Sequence, residues 1–173
     1  MINGEVISLR PVQASDASLL LQWENDQSNW SVSSTTTKYT LGEIIALIDS
    51  LADIETSKQA RFIIINRKNN LAFGAVDLFS ISFEEEKASV GILIADPDNR
   101  NKGFAAKSIE ILEEICVEEL GIYNLEAKVH QNNASSRRLF EKIGFSKKKL
   151  TQDGQLNNAD YIETLIFEKC LKK

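Results

Sequence analysis

Val90-Gly91-Ile92-Leu93-Ile94, and six residues on Arg100-Asn101-Lys102-Gly103-Phe104-Ala105, form the stretch that decides the fold. Alternating apolar residues at 90, 92 and 94 predict a strand over Ala88 to Ala95. From Ala105 the apolar positions fall at 105, 109, 112, 116 and 120, with Lys107, Glu110, Glu113 and Glu114 largely elsewhere, which predicts one amphipathic helix stopped by Gly121. A strand that turns through a glycine into a helix start leaves several backbone N–H groups unpaired beside the positive helix end, and such a spot suits a phosphate. Gly103 lets the backbone come close to a diphosphate, Ala105 keeps the first helical turn small, and Arg100 and Lys102 add charge. No Gly-Lys-Ser/Thr follows and Gly-x-Gly-x-x-Gly is absent, so neither nucleotide-binding fingerprint applies. Taken alone, Arg-x-x-Gly-x-Ala reads equally as a solvated basic turn with a helix cap.

Working outward, Val6-Ile7-Ser8-Leu9 suggests a first strand, and Ser15 is placed to cap a helix carrying Leu19, Leu20, Leu21 and Trp23. A polar run from Asp26 to Thr40 reads as a surface loop, and Thr40-Leu41-Gly42-Glu43 is a capping box opening a second helix. Ala60 to Arg67 and Leu71 to Ser80 form a hairpin across Lys68-Asn69-Asn70. Downstream, Leu125 to Val129 is a strand, Ala134 to Ile143 a helix ended by Gly144, and two strands flank an Asp153-Gly154 turn. The order is βααβββαβαββ, an α/β layer fold.

At 173 residues, 43% hydrophobic and 26% charged, the sequence predicts a single domain over 1–173 and excludes disordered or collagenous classes. A net charge of −5 argues against a nucleic-acid partner. No apolar run approaches a membrane span, so no membrane partner is expected. Cys116 and Cys170 show no metal or redox spacing and His130 is the one histidine, so no metal is expected and the thiols suit a reducing, cytoplasmic setting.

Thirty positions after Gly103 stands Asn133-Ala134-Ser135-Ser136-Arg137-Arg138-Leu139-Phe140-Glu141-Lys142-Ile143-Gly144-Phe145. Together with Val90 to Ile94 and Arg100 to Ala105, this resembles the GNAT superfamily of acetyl-CoA-dependent N-acetyltransferases. The resemblance covers nearly the whole chain and is most specific over 90–145. The front half, with Trp23-Glu24-Asn25-Asp26 and Trp30, is most similar to the branch containing spermidine acetyltransferases and acetyltransferases of ribosomal-protein N-termini.

The resemblance implies a mixed, mostly antiparallel central sheet flanked by helices, with acetyl-CoA as co-substrate. It implies that the backbone of Ile92, Leu93 and Ile94 pairs with the pantetheine arm like another strand, and that Arg100, Asn101, Lys102, Gly103, Phe104 and Ala105 cradle the diphosphate. Asn133 would contact the pantetheine, with Ser136 and Phe140 near its thiol end. Read without the resemblance, Asn133 is a plain helix cap, Phe140 a core residue and Cys116 a structural thiol.

The implied reaction transfers acetyl to a primary amine, from a polyamine-like small molecule or a peptide, by direct attack in a ternary complex. A lysine-like amine has a pKa near 10.4, so a carboxylate or neutral histidine must help remove its proton. Asp77 is expected as a lone carboxylate among apolar neighbours, facing a cleft or paired to Arg61 or Lys87, and Glu24 and His130 are the other candidates. Many family members carry a tyrosine acid where this chain has Phe140. A CoA thiol can leave as thiolate when solvent protonates it, and Tyr161 is the next candidate acid. A different reading keeps the CoA site in a weakly catalytic sensor or partner-binding module, and a homodimer stays open.

Overall fold

Three consecutive isoleucines, Ile63, Ile64 and Ile65, are all buried, so the strand that holds them is covered on both faces. The structure, a computed structural model, describes residues 6–30, 37–156 and 160–172. The chain runs β1 (Ile7–Pro11), α1 (Ala17–Asn25), α2 (Gln27–Trp30), α3 (Leu41–Ser50), α4 (Ile54–Ser57), β2 (Ala60–Asn66), β3 (Leu71–Ser82) and β4 (Lys87–Ile94). It continues through α5 (Phe104–Ile115), β5 (Asn124–His130), α6 (Ala134–Lys142), β6 (Ser146–Leu156) and β7 (Asp160–Cys170). This is the expected order with two short helices added. The side chains of Trp30 and Tyr161, and the run Ser33 to Thr36 in the expected loop, lie outside the described residues.

The strands form one seven-stranded sheet in the order β1-β2-β3-β4-β5-β7-β6. Every neighbouring pair is antiparallel except β4 with β5. Strand alternation sends Ile63 and Ala75 to one face, under Leu20 and Trp23 of α1 and Ile44 and Ile48 of α3. It sends Val76, Leu78 and Val90 to the other, under Ile109 and Leu112 of α5. The capping box opens α3 as expected: the Thr40 hydroxyl accepts from the Glu43 N–H, and the Thr40 N–H donates to the Glu43 carboxylate at 2.7 Å.

Two local expectations are corrected. Ser15 is no cap: the chain enters α1 through a 3₁₀ turn over Ala14–Asp16, where the buried Asp16 carboxylate accepts from the Gln13 N–H at 2.8 Å and from both ends of the Arg10 guanidinium. Asp153-Gly154 is no hairpin turn either. β6 runs past it to Leu156, and the register with β7 shifts between Gln152 and Gln155, so the pair is taken up within the strand as an irregularity.

The parallel pair is short. β4 and β5 are in register only at Lys87 with Asn124, Ala88 with Leu125 and Ser89 with Glu126, although β4 continues to Ile94 and β5 to His130. β3 still occupies the other edge of β4 as far as Ile94, and β7 the other edge of β5 as far as His130. The strands therefore part in a V, and each turns an unpaired edge into the gap.

Candidate active site

The N-terminus of α5 stands beside that V. Asn101 and Gly103 both have positive φ, 59° and 82°, and this left-handed pair swings the chain from the 3₁₀ turn Pro97–Asn99 into the helix. Gly103 is the N-cap and offers no side chain to cap with, and the Lys107 N–H is bonded to the Gly103 carbonyl at 3.1 Å. The amides of Phe104, Ala105 and Ala106 precede the helical ladder and have no acceptor among the described residues. Backbone donors at a positive helix end make an anion site.

A cavity of about 490 Å³ joins this turn to the open edge of β4. Ile92, Leu93 and Ile94 line it from β4, with Asn99, Arg100, Asn101, Gly103, Phe104, Ala105 and Ala106 from the turn and α5. Ser135, Arg138, Leu139 and Lys142 line it from one face of α6, with Asn133 and Ser136 at that helix's start. The volume falls within the range of about 300–1,000 Å³ that small-molecule and cofactor sites take up. Its parts fit an elongated ligand that is anionic in the middle and amide-bearing toward one end, which is the donor set of a CoA thioester. The β4 edge offers N–H and C=O groups to amides, the α5 amides face a diphosphate, and Arg138 and Lys142 add cations.

Ten of the twelve residues expected to hold the cofactor meet at this cavity, and two do not. Lys102 is exposed and does not line it. Phe140 is 3% exposed and belongs to the core, its ring 5.1 Å from Phe145 edge-on and 6.3 Å from Phe167 stacked. The α6 stripe then presents Leu139, not Phe140, to the cavity. Asn133 combines both of its readings: its side chain caps α6 by accepting from the Ser136 N–H at 3.0 Å, and it lines the cavity. Of the six lining residues missed by sequence reasoning, Asn99 and Ala106 adjoin the expected turn, whereas Ser135, Arg138, Leu139 and Lys142 repeat at three, four and seven positions, the spacing of one helix face.

The three candidates for proton removal are not gathered at one point. Asp77 is not unpaired: the Arg61 guanidinium donates to its two oxygens at 2.7 and 3.0 Å. The same guanidinium donates to Glu24 of α1 at 3.1 Å. Burial alone would lower the pKa of Arg61, but the charge and hydrogen bonds of Asp77, followed by those of Glu24, outweigh it and hold the guanidinium above its usual value. Arg61 and Asp77 also line a smaller hollow of about 190 Å³ with Leu47 of α3 and Leu51, the residue that follows that helix. Asp77 pairs across the sheet with Gly91 of β4, where a Cβ would meet the Phe79 ring at 3.5 Å and the Asp77 Cβ at 3.9 Å. His130 lies at the tip of β5, and its buried Nδ1 has no partner among the described residues. Cys116 is buried, and its thiol is pushed up to about 12, first by burial and then by Glu113. Among the described residues no three His, Cys, Asp or Glu side chains gather to hold a metal.

A splayed parallel strand pair that opens onto a glycine-led helix start makes a site for an elongated ligand carrying amides and an anionic group. The chain matches the acetyltransferase (GNAT) domain family over residues 7–146 and belongs to it: it is an N-acetyltransferase, moving an acetyl group from acetyl-CoA to an amine. It is 25% identical over 164 residues to the uncharacterized N-acetyltransferase p20 of Bacillus licheniformis, covering 94% of this chain and 92% of that one. Its fold is shared with the spermidine N-acetyltransferase of Vibrio cholerae solved with CoA and spermine, at a TM-score of 0.85 and 19% identity over 95% of both chains. It is also shared with the ribosomal-protein-S5-alanine acetyltransferase of Vibrio fischeri, at a TM-score of 0.84 and 15% identity over 98% of this chain and 95% of that one.

Proposed function

We propose that the acceptor is a primary amine and that acetyl moves to it directly in a ternary complex, with acetyl-CoA supplying the thioester. The observation that carries this reading is the V between β4 and β5, because a free strand edge next to free helix amides receives both the amides and the diphosphate of one ligand. Acyl transfer through the protein is not part of the proposal: Cys116 is held as a buried neutral thiol, and neither cysteine lines the cavity. An N–H on the β4 edge polarises the carbonyl. His130 is the residue we assign to proton removal through water. Asp77 and Glu24 share the Arg61 guanidinium, and they serve to fix α1 against the sheet.

The amines named for two structural neighbours, a polyamine and a ribosomal-protein alanine, define the assay panel. Purified protein with acetyl-CoA and spermidine, or short peptides with free N-termini, is expected to release free thiol in proportion to acetylated amine. Initial rates should intersect when both substrates are varied. His130→Gln should cut kcat at least tenfold while acetyl-CoA affinity stays within about twofold. Parallel-line kinetics would refute direct transfer, and tight CoA binding without thiol release across the panel would favour a sensor.

A further inference from the structure

Arg100 stands at the turn where the anionic ligand is expected, yet its guanidinium is directed elsewhere. Nε donates to the Ile94 carbonyl at 2.9 Å, and Nη2 donates to Asn29 Oδ1 at 2.7 Å, with the Ala95 carbonyl at 3.4 Å. These acceptors are all neutral, and among the described residues no carboxylate lies within ion-pair distance, although the Arg100 charge reaches Asp26, the residue before α2, and after the Ser28 hydrogen bonds helps to hold its carboxyl below the usual value. Asn29 is 2% exposed and its amide is used at both ends, since Nδ2 donates to the Trp23 carbonyl of α1 at 3.1 Å. A buried amide fixed at both ends holds one orientation. One connected path therefore runs from the cofactor turn and the end of β4, through Arg100 and Asn29, into α2 and α1.

We propose that Arg100 is a positioning residue that couples the cofactor turn to the first helices: it ties the turn to α2 through Asn29, so that occupying the turn stiffens α2 and the end of α1. This rests on the reading that CoA occupies the cavity. The turn is held at one end by Arg100 itself, whose N–H donates to the Pro97 carbonyl at 3.1 Å, so fixing the turn's amides on an anion fixes the root of the guanidinium. Its planar fork transmits that restraint to Asn29 in a way an ammonium on a flexible stem does not. Coupling of this kind is reciprocal, so anything that stiffens α2 strengthens cofactor binding by the same factor.

The test is amide hydrogen exchange of the full chain with and without CoA, which needs no knowledge of the amine. In the wild type, CoA should slow exchange at 101–106 and also at 27–30, the latter about fivefold or more, the lower end of usual coupling strengths. In Asn29→Ala CoA should still slow 101–106 and leave 27–30 unchanged, and Arg100→Lys, which keeps the charge but not the fork, should likewise lose the CoA-dependent difference at 27–30. A simple packing role would speed exchange at 27–30 equally with and without CoA, so the CoA-dependent difference separates the two. Protection at 101–106 without protection at 27–30 in the wild type overturns the coupling, as does its persistence in both variants. Protection of neither segment overturns the cavity reading itself.

Discussion

Gly103 and Asp16 show how a single residue sets a limit on the molecule. At Gly103 a Cβ would meet nothing within 4 Å, so substitution costs through the backbone, whose φ of 82° is unfavourable for any L side chain. Gly103→Ala should cost about 1–2 kcal/mol, lowering the melting temperature by a few degrees, and should weaken CoA binding beyond that, measurable by calorimetry. Asp16 is held below its ordinary 3.8 by the Arg10 hydrogen bond, which outweighs burial, with help from the Gln13 amide and the Arg10 charge. A carboxylate with a lowered folded-state pKa contributes stability that is fully present above 3.8 and lost as pH falls through the folded value. Asp16→Asn should therefore melt well below the wild type at neutral pH, and the gap should close below about pH 4. At this scale partners were legible only as options: Asp77 could face a cleft or pair with Arg61 or Lys87, and the choice of Arg61, sixteen positions away, is made by the β2–β3 register.

Elements carried more of their own information. The stripe from Ala105 to Leu120, the Thr40 capping box and the β2–β3 hairpin were all legible, since each rests on contacts a few residues apart. The V between β4 and β5 was not. Which residues of a parallel pair share a register depends on how the intervening α5 packs, and nothing in either strand marks where pairing stops. Gly74 hints at the demand on β4: a Cβ there would stand 2.3 Å from the Leu93 carbonyl, in backbone that cannot turn aside. Gly74→Ala must push β4 away, costing about 1–3 kcal/mol as overpacking does, and displacing the edge that takes the cofactor. Denaturant unfolding and CoA titration should both register it, whereas Gly42→Ala, with nothing within 4 Å on α3, should register in neither as a loss.

At the scale of the whole molecule, two blocks of sheet meet at three residue pairs. β1 to β4 are joined by antiparallel contacts, β1 with β2 through the intervening helices and the rest as neighbours in sequence, whereas β5, β7 and β6 form the second block. Joining the blocks requires parallel pairing across a helix crossover, the slow kind of contact to form, because loop closure comes before any reward. Refolding from denaturant should show a faster phase in the fluorescence of the buried Trp23, within the first block, and a slower phase for closing the seam. Competence to bind CoA, followed by a fluorescent analogue, should return only with the slower phase; its return with the first would refute this order. The pocket is lined from both sides of the seam, so the last step of folding completes it, and a chain stalled at that step has its larger core cluster still divided between the blocks and no place for its cofactor.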